Sequence, residues 1–315
     1  MTGEGARIVV VGEALVDIVH RASGIVEETP GGSPANVALT LGRLDREPVL
    51  VTRLGGDERG IRLRRWLEES GVEVRGVDAA RTATATAHLD PCGAATYEFD
   101  LDRSLVDDPA QLPELVGDAD LLHVGSVAAV IGPGAEQVAR LVRAARPRAL
   151  VTYDPNIRPS LVDDPAAVRA RVEELVALAD VVKASDEDLR WLQPGDDVLE
   201  VARRWATRGP AFVVVTLGAE GALAVTAGGD VVSVPGVATE VVDTVGAGDT
   251  FMGALIDGLL SAGATGRGLR AAAGGGIPSS ALEALLRHGA RAAAITVARA
   301  GANPPRRAEL TTPAA

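Results

Sequence analysis

The chain is poor in residues on which several kinds of function depend. Among its 315 residues Cys92 is the only cysteine, so no intrachain disulfide can form and a reducing cytoplasm is the expected compartment. The four histidines, His20, His88, His123 and His288, are too scattered to suggest a zinc site. Lys183 is the only lysine and no glycine precedes it, which excludes a P-loop. Val181–Lys183 is followed by no His-Arg-Asp or Asp-Phe-Gly element, which excludes a protein kinase. The first apolar run ends in Gly12-Glu13-Ala14, so the glycines of a dinucleotide-binding turn are missing. Nowhere do about 18 apolar residues run together, and no basic leader precedes Ile8–Val11, so a soluble, unexported protein is expected. A formal net charge of −12 repels nucleic-acid backbones and anionic membranes.

Aromatic residues make up only 3% of the chain while hydrophobic residues make up 47%, so Val, Leu, Ile and Ala must fill the interior. That composition suits buried parallel strands. Short β-branched runs at Arg7–Gly12, Val49–Thr52, Asp120–Val124, Ala149–Tyr153, Asp180–Val182 and Phe212–Thr216 read as strands. Helical patterns at Pro34–Leu44, Glu58–Ser70, Gly134–Ala145, Ala166–Leu178 and Leu199–Thr207 alternate with them. The alternation predicts an α/β protein with a sheet covered on both faces. Ala14–Ser23 and Thr82–Asp100, the latter with a turn at Asp90-Pro91-Cys92-Gly93, instead alternate apolar and polar residues and read as a small one-sided sheet, a lid. Its open edge and face could be covered by a second subunit, making a homodimer. A hairpin is expected at Ala222–Thr226 and Asp230–Val234, and helices at Ala247–Ser261 and Ala281–Arg291. The Gly-rich connection 263–280 between those helices is expected to be mobile, and the Pro-containing tail after Asn303 to lie on the surface.

Two glycine-rich turns carry the chemistry. In Asp243-Thr244-Val245-Gly246-Ala247-Gly248-Asp249, small residues stand at the mouth of an apolar helix, whose unpartnered amides and dipole favour a phosphate. Asp249 would repel that anion, which suggests a reacting carboxylate; a helix cap is the alternative. In Pro30-Gly31-Gly32-Ser33-Pro34-Ala35-Asn36, Pro34 suits a first helical turn, and Asn36 can bond either the loop or a ligand hydroxyl.

Together these segments resemble the paired signatures of the ribokinase-like sugar kinases, the PfkB family. Gly55-Gly56-Asp57-Glu58-Arg59-Gly60, Asp154-Pro155-Asn156-Ile157-Arg158 and Thr216-Leu217-Gly218-Ala219-Glu220-Gly221 match in family order, so the resemblance covers nearly the whole chain. It implies a single three-layer α/β domain over residues 1–315, with a central, mostly parallel sheet and a small β-sheet lid from segments near 14–30 and 82–102. It further implies transfer of the ATP γ-phosphate to a sugar hydroxyl, with Mg²⁺. Asp249 would be the base, and the amides of Gly246, Ala247 and Gly248 the anion hole. The sugar would be held by Asp17, Gly31, Gly32 and Asn36, by Arg158, and more weakly by Arg103. The nucleotide would meet Ser185, Thr216, Gly218 and Gly221. A K⁺ ion would lie among Asp243, Val245, Thr296, Arg299 and Gly301.

The chain departs from the family at Ser185 and Asp188, where many relatives carry Asn-x-x-Glu, and within Gly289–Ala293, where an Asn often precedes Ala-Ile-Thr-Val. Residues 30–38, 154–159 and 301–305 look most like bacterial fructokinases, which implies fructose 6-phosphorylation. The alternatives are 2-keto-3-deoxygluconate kinase and ribokinase. From a different class, a non-catalytic sugar- or nucleotide-binding regulator could keep the fold. A sugar acid would call for an additional cation, for which Arg103 is the candidate.

Overall fold

The computed structural model describes residues 5–21, 23–89, 95–272 and 277–311. Nine strands form the larger sheet: β1 (Ile8–Val11), β4 (Val49–Gly55), β5 (Glu73–Ala79), β8 (Leu121–Gly125), β9 (Leu150–Asp154), β10 (Val181–Ser185), β11 (Phe212–Thr216), β12 (Ala222–Thr226) and β13 (Val231–Val234). The smaller sheet has four: β2 (Leu15–His20), β3 (Val26–Gly31), β6 (Ala83–Leu89) and β7 (Ala95–Asp100). The large sheet runs β13-β12-β11-β10-β9-β8-β1-β4-β5 and is parallel except for the β11-β12-β13 hairpins. The chain builds outward from β1 through β4 and β5, then returns to build the other way from β8. The strand order therefore reverses beside β1, and ligands of such sheets bind outside the C-terminal strand ends at that reversal.

The four residues of β1 show how the layers arise. Val9 and Val11 point into one core with Val138, Val172 and Trp205; Ile8 and Val10 point into the other with Leu41, Leu63, Leu255 and Leu286. Successive side chains on a strand face opposite sides, so a run that is apolar throughout must be covered on both faces. Helices Gly134–Ala145, Pro165–Leu178 and Val198–Ala206 supply one cover; Ser33–Arg43, Glu58–Glu68, Ala247–Ser261 and Ser279–Val297 supply the other. No helix among the described residues is long and apolar enough to cross a membrane.

Several elements differ from the sequence reading. β5 is a strand where none is expected, and the lid segment near 14–30 holds a second strand, β3, beyond the alternating run Ala14–Ser23; both are edge strands rich in polar residues, and β3 even contains Pro30, which an edge tolerates. The connection 263–280 contains a helix, Gly266–Ala272, and the final long helix begins at Ser279 and continues to Val297. The mobility expected of residues 273–276, like the turn at 90–93, lies outside the described residues. The tail is not wholly superficial: Pro304, Pro305 and Leu310 are buried, and a further helix runs Arg307–Thr311.

That tail is fastened through Asp257, 1% exposed in helix Ala247–Ser261. Its carboxylate accepts from Arg46 Nε at 2.6 Å and from Arg307 Nη2 at 2.7 Å, and meets His288 Nε2 at 2.9 Å. Burial alone would raise its pKa, but hydrogen bonds from His288, Arg307 and Arg46 hold it well below the usual carboxylate range. An Asp257→Asn variant is expected to lose about 1.5–3 kcal/mol at neutral pH in urea unfolding, because it weakens charge-assisted hydrogen bonds to half-buried cations. A depressed folded-state pKa stabilises above the unfolded value near 3.8 and is lost as pH falls further, so the gap to the parent protein should narrow below pH 4.

Candidate active site

The site forms where the helix Ser33–Arg43 packs on the helix Ala247–Ser261. A Cβ at Gly253 would lie 2.6 Å from Thr40 Cβ, so the two helices approach as closely as backbone allows. Their N-terminal turns therefore meet. Ser33 Oγ donates to Asp249 Oδ1 at 2.7 Å, and Asn36 Nδ2 donates to Oδ2 at 2.8 Å. Asn156 Nδ2, from the loop after β9, adds a longer bond to Oδ1 at 3.3 Å. The helix N-cap is Gly246, in the left-handed region at φ 76°, with no side-chain cap. Asp249 thus does not cap its helix: its carboxylate is turned toward two other segments, which removes the capping alternative.

Asp17, on β2 of the small sheet, faces this cluster. Burial pushes its pKa up to about 6; Arg158 lowers it and Asp249 raises it, so both charges lie within electrostatic reach of Asp17. Arg158 is exposed, and its Nη1 donates to Asn156 Oδ1 at 2.6 Å. Asn156 takes φ 39°, a left-handed conformation that Asn tolerates better than most residues. The small sheet is held down on one side by Glu28 of β3, which pairs with Arg59 and Arg62 of helix Glu58–Glu68.

A cavity of about 520 Å³ lies beside the cluster, lined by Glu13, Arg53, Arg81, Asp102 and Arg103 among others. Asp249 does not line it. The cavity adjoins the cluster through Glu13, just past the C-terminal end of β1, which feels the charge of Arg158. Burial raises the Glu13 pKa; Ser126, after β8, hydrogen-bonds it across the point where strand order reverses, and Oε2 has no partner. Arg103 reaches only Asp163, at 3.5 Å, so it belongs to this cavity and not to the Asp249 cluster.

The remaining candidates fall at neighbouring strand ends. Ser185 of β10 and Thr216 of β11 are register partners. The Ser185 hydroxyl donates to Asp188 Oδ2 at 2.7 Å and accepts from the Asp188 amide at 3.0 Å, a reciprocal cap on helix Asp186–Leu192. Gly218 and Gly221 have positive φ in the turn after β11, and a Cβ at Gly221 would lie 2.2 Å from Val234 O. Asp243 Oδ1 accepts from Val245 N, and Oδ2 from Gly301 N at 2.9 Å, joining the two loops of the expected cation site. Thr296 is fully buried there, while the Arg299 side chain is engaged by Glu309.

Four residues of the site are not among the sequence candidates: Glu13, Ser33, Asn156 and Lys183. Asn156 and Ser33 sit inside motifs that the sequence displays, and only their direction was hidden. Glu13 and Lys183 stood out only for the motifs they fail to complete.

A large, mostly parallel sheet with a separate four-stranded sheet is the ribokinase-like arrangement, and the relatives of the chain make it a carbohydrate kinase, a phosphotransferase with an alcohol as acceptor. The chain belongs to the pfkB family of carbohydrate kinases, whose model matches residues 6–309. It is 36% identical over 264 residues to a fructokinase from Klebsiella pneumoniae, covering 82% of this chain and 85% of that protein. The crystal structure of a fructokinase from Xylella fastidiosa with bound ATP superposes with TM-score 0.82 at 26% identity, covering 96% of each chain. A fructokinase double mutant from Vibrio cholerae O395, in a fructose-, ADP- and potassium-bound form, superposes with TM-score 0.80 at 27% identity, covering 98% of each chain.

Proposed function

We propose that this ATP-dependent, fructokinase-like enzyme phosphorylates the 6-hydroxyl of fructose, with Asp249 as general base. The observation that carries the reading is the buried Asp249 carboxylate at a helix N-terminus, turned away from capping and facing the lid residue Asp17. In this reading Asp17 and Asn36 orient the sugar, and its hydroxyl replaces Asn156 at Asp249 Oδ1, the longest of the three bonds there. Asp249 accepts the hydroxyl proton as the oxygen attacks the γ-phosphate, while the amides of Gly246, Ala247 and Gly248 and the helix dipole hold the developing charge. Thr216, Gly218 and Gly221 lie against the nucleotide, and Arg158 reaches from the loop after β9 toward sugar or phosphate.

No group of three or more His, Cys, Asp or Glu among the described residues could hold a metal ion. That fits Mg²⁺ carried mainly by nucleotide phosphates and water, where it supplies charge neutralisation. The two loops joined through Asp243 and Gly301 fit a monovalent cation such as K⁺ bound largely by carbonyl oxygens, with Val245, Thr296 and Arg299 beside them.

The cavity beside the cluster is lined by charges of both signs. Arg53, Arg81 and Arg103 line it together with Glu13, Asp100 and Asp102, and Arg53 and Arg81 are paired with Asp102 and Asp100. Arg103, whose charged contact is the exposed Asp163 at 3.5 Å, is the cation left to meet a substrate carboxylate, so 2-keto-3-deoxygluconate is the acceptor to set against fructose. ADP release measured over fructose, ribose, 2-keto-3-deoxygluconate, glucose and adenosine should give the highest kcat/KM for fructose. A preference for another acceptor would overturn the substrate, and ligand binding without sugar-stimulated ADP release would favour a regulator.

A further inference from the structure

The one lysine of this chain is spent in its interior. Lys183, on β10, is 3% exposed, and its Nζ donates to Asp154 Oδ2 at the end of β9, 2.9 Å away. Burial pulls its pKa down, but the charge and hydrogen bond of Asp154, then Asp188 and Asp249, outweigh burial and keep the ammonium protonated. From β8, His123 faces it as a neutral ring: burial and then Lys183 push its pKa down to about 3, and its Nδ1 lies 3.0 Å from Thr152 Oγ1. Asp154 is itself raised to about 6, by burial against the lowering by Lys183, and its Oδ1 has no hydrogen-bond partner.

A buried ion pair is a poor way to stabilise a fold, because desolvation offsets most of the attraction and apolar replacements are often neutral or better. The position of this pair is more telling. A Cβ at Gly248 would stand 3.0 Å from Lys183 Nζ, so the ammonium lies directly against the backbone of the turn. The glycine at the end of the phosphate-favouring turn therefore admits a cation beneath it. The field of that cation adds to the helix dipole, and a water-excluded setting screens it little.

Resting on the sugar-kinase reading, we propose that Lys183, anchored by Asp154, is a positioning residue that sets a fixed positive charge behind the Gly246–Gly248 amides and strengthens their hold on the transferred phosphate. A P-loop lysine reaches phosphate through open space; this one acts from below, through the turn. The close approach at Gly248 and the single lysine at 183 become one device.

The test uses the full chain and a Lys183→Met variant, which keeps side-chain length without charge. Calorimetric titration should show ATP bound at least about tenfold more weakly while ADP affinity holds. Turnover should fall at least about a hundredfold with little change in sugar KM, the scale of losing one preorganised donor at a developing charge. A second variant, Lys183→Met with Asp154→Asn, removes both charges; it should recover the parent melting temperature without recovering turnover. Unchanged ATP-over-ADP preference and unchanged kcat in Lys183→Met, or parent-like kcat in the double variant, would overturn the proposal and leave the pair purely structural. The nucleotide comparison needs no acceptor. It therefore decides the role of Lys183 even if no sugar is phosphorylated, an outcome that would fail the sugar-kinase reading separately.

Discussion

The Asp249→Asn variant is expected to bind ATP normally and to turn over about 10²- to 10⁴-fold more slowly, the range that a positioned general base contributes. The surroundings of Asp249 make this a clean substitution. Its carboxylate accepts from the Ser33 hydroxyl and the Asn36 and Asn156 amides, so an amide at 249 would turn one NH₂ toward an existing donor. Both near neighbours can adapt. The Ser33 hydroxyl can rotate to accept, and Asn36 carries a buried Oδ1 with no partner, which a flip of its amide would bring toward position 249. The fold should therefore survive with little loss in melting temperature, while the site loses its proton acceptor. Saturating-substrate kcat, ATP calorimetry and thermal denaturation together separate chemistry from folding. Near-normal turnover in a folded, ATP-binding variant would remove Asp249 from the mechanism.

What the sequence displayed was whatever depends on local pattern. β1 and β11, read as Arg7–Gly12 and Phe212–Thr216, are nearly unbroken β-branched runs, and strands buried on both faces have no other way to look. β3 and β5 were hidden because edge strands carry polar residues and, in β3, a proline, so their alternation is weak. The same division runs through the site. Glycine turns announce themselves, since a phosphate-favouring turn needs small residues in a row. Glu13 does not, because its bond to Ser126 exists only once β1 and β8 become neighbours, and no local spacing encodes that pairing. Ser33, Asn156 and Asp249 are separated by more than 90 residues at each step and converge only through helix packing and the turn after β9. Lys183 was visible as a count of one; its meaning came from its close approach to Gly248.

A Gly31→Ala variant should lose roughly 10- to 150-fold in kcat/KM for the sugar while keeping its ATP affinity, the loss matching one hydrogen bond to a charged group. Gly31 ends β3 opposite Leu15, and a Cβ there would fall 2.1 Å from Asp17 Oδ2 and 3.4 Å from Leu15 Cδ1. Gly31 has no positive φ, so alanine suits the backbone and the whole cost falls on the contact. The part that must yield is the free end of Asp17, which can rotate away at small cost to the fold but leaves the place where it would grip a hydroxyl. This reasoning makes a second, stricter demand. In an Asp17→Ala background the clashing oxygen is gone, so adding Gly31→Ala should change kcat/KM no further, a non-additivity that independent sites would not show. If Gly31→Ala alone is silent, or if the two losses simply multiply, Asp17 is not the residue through which Gly31 shapes the sugar site.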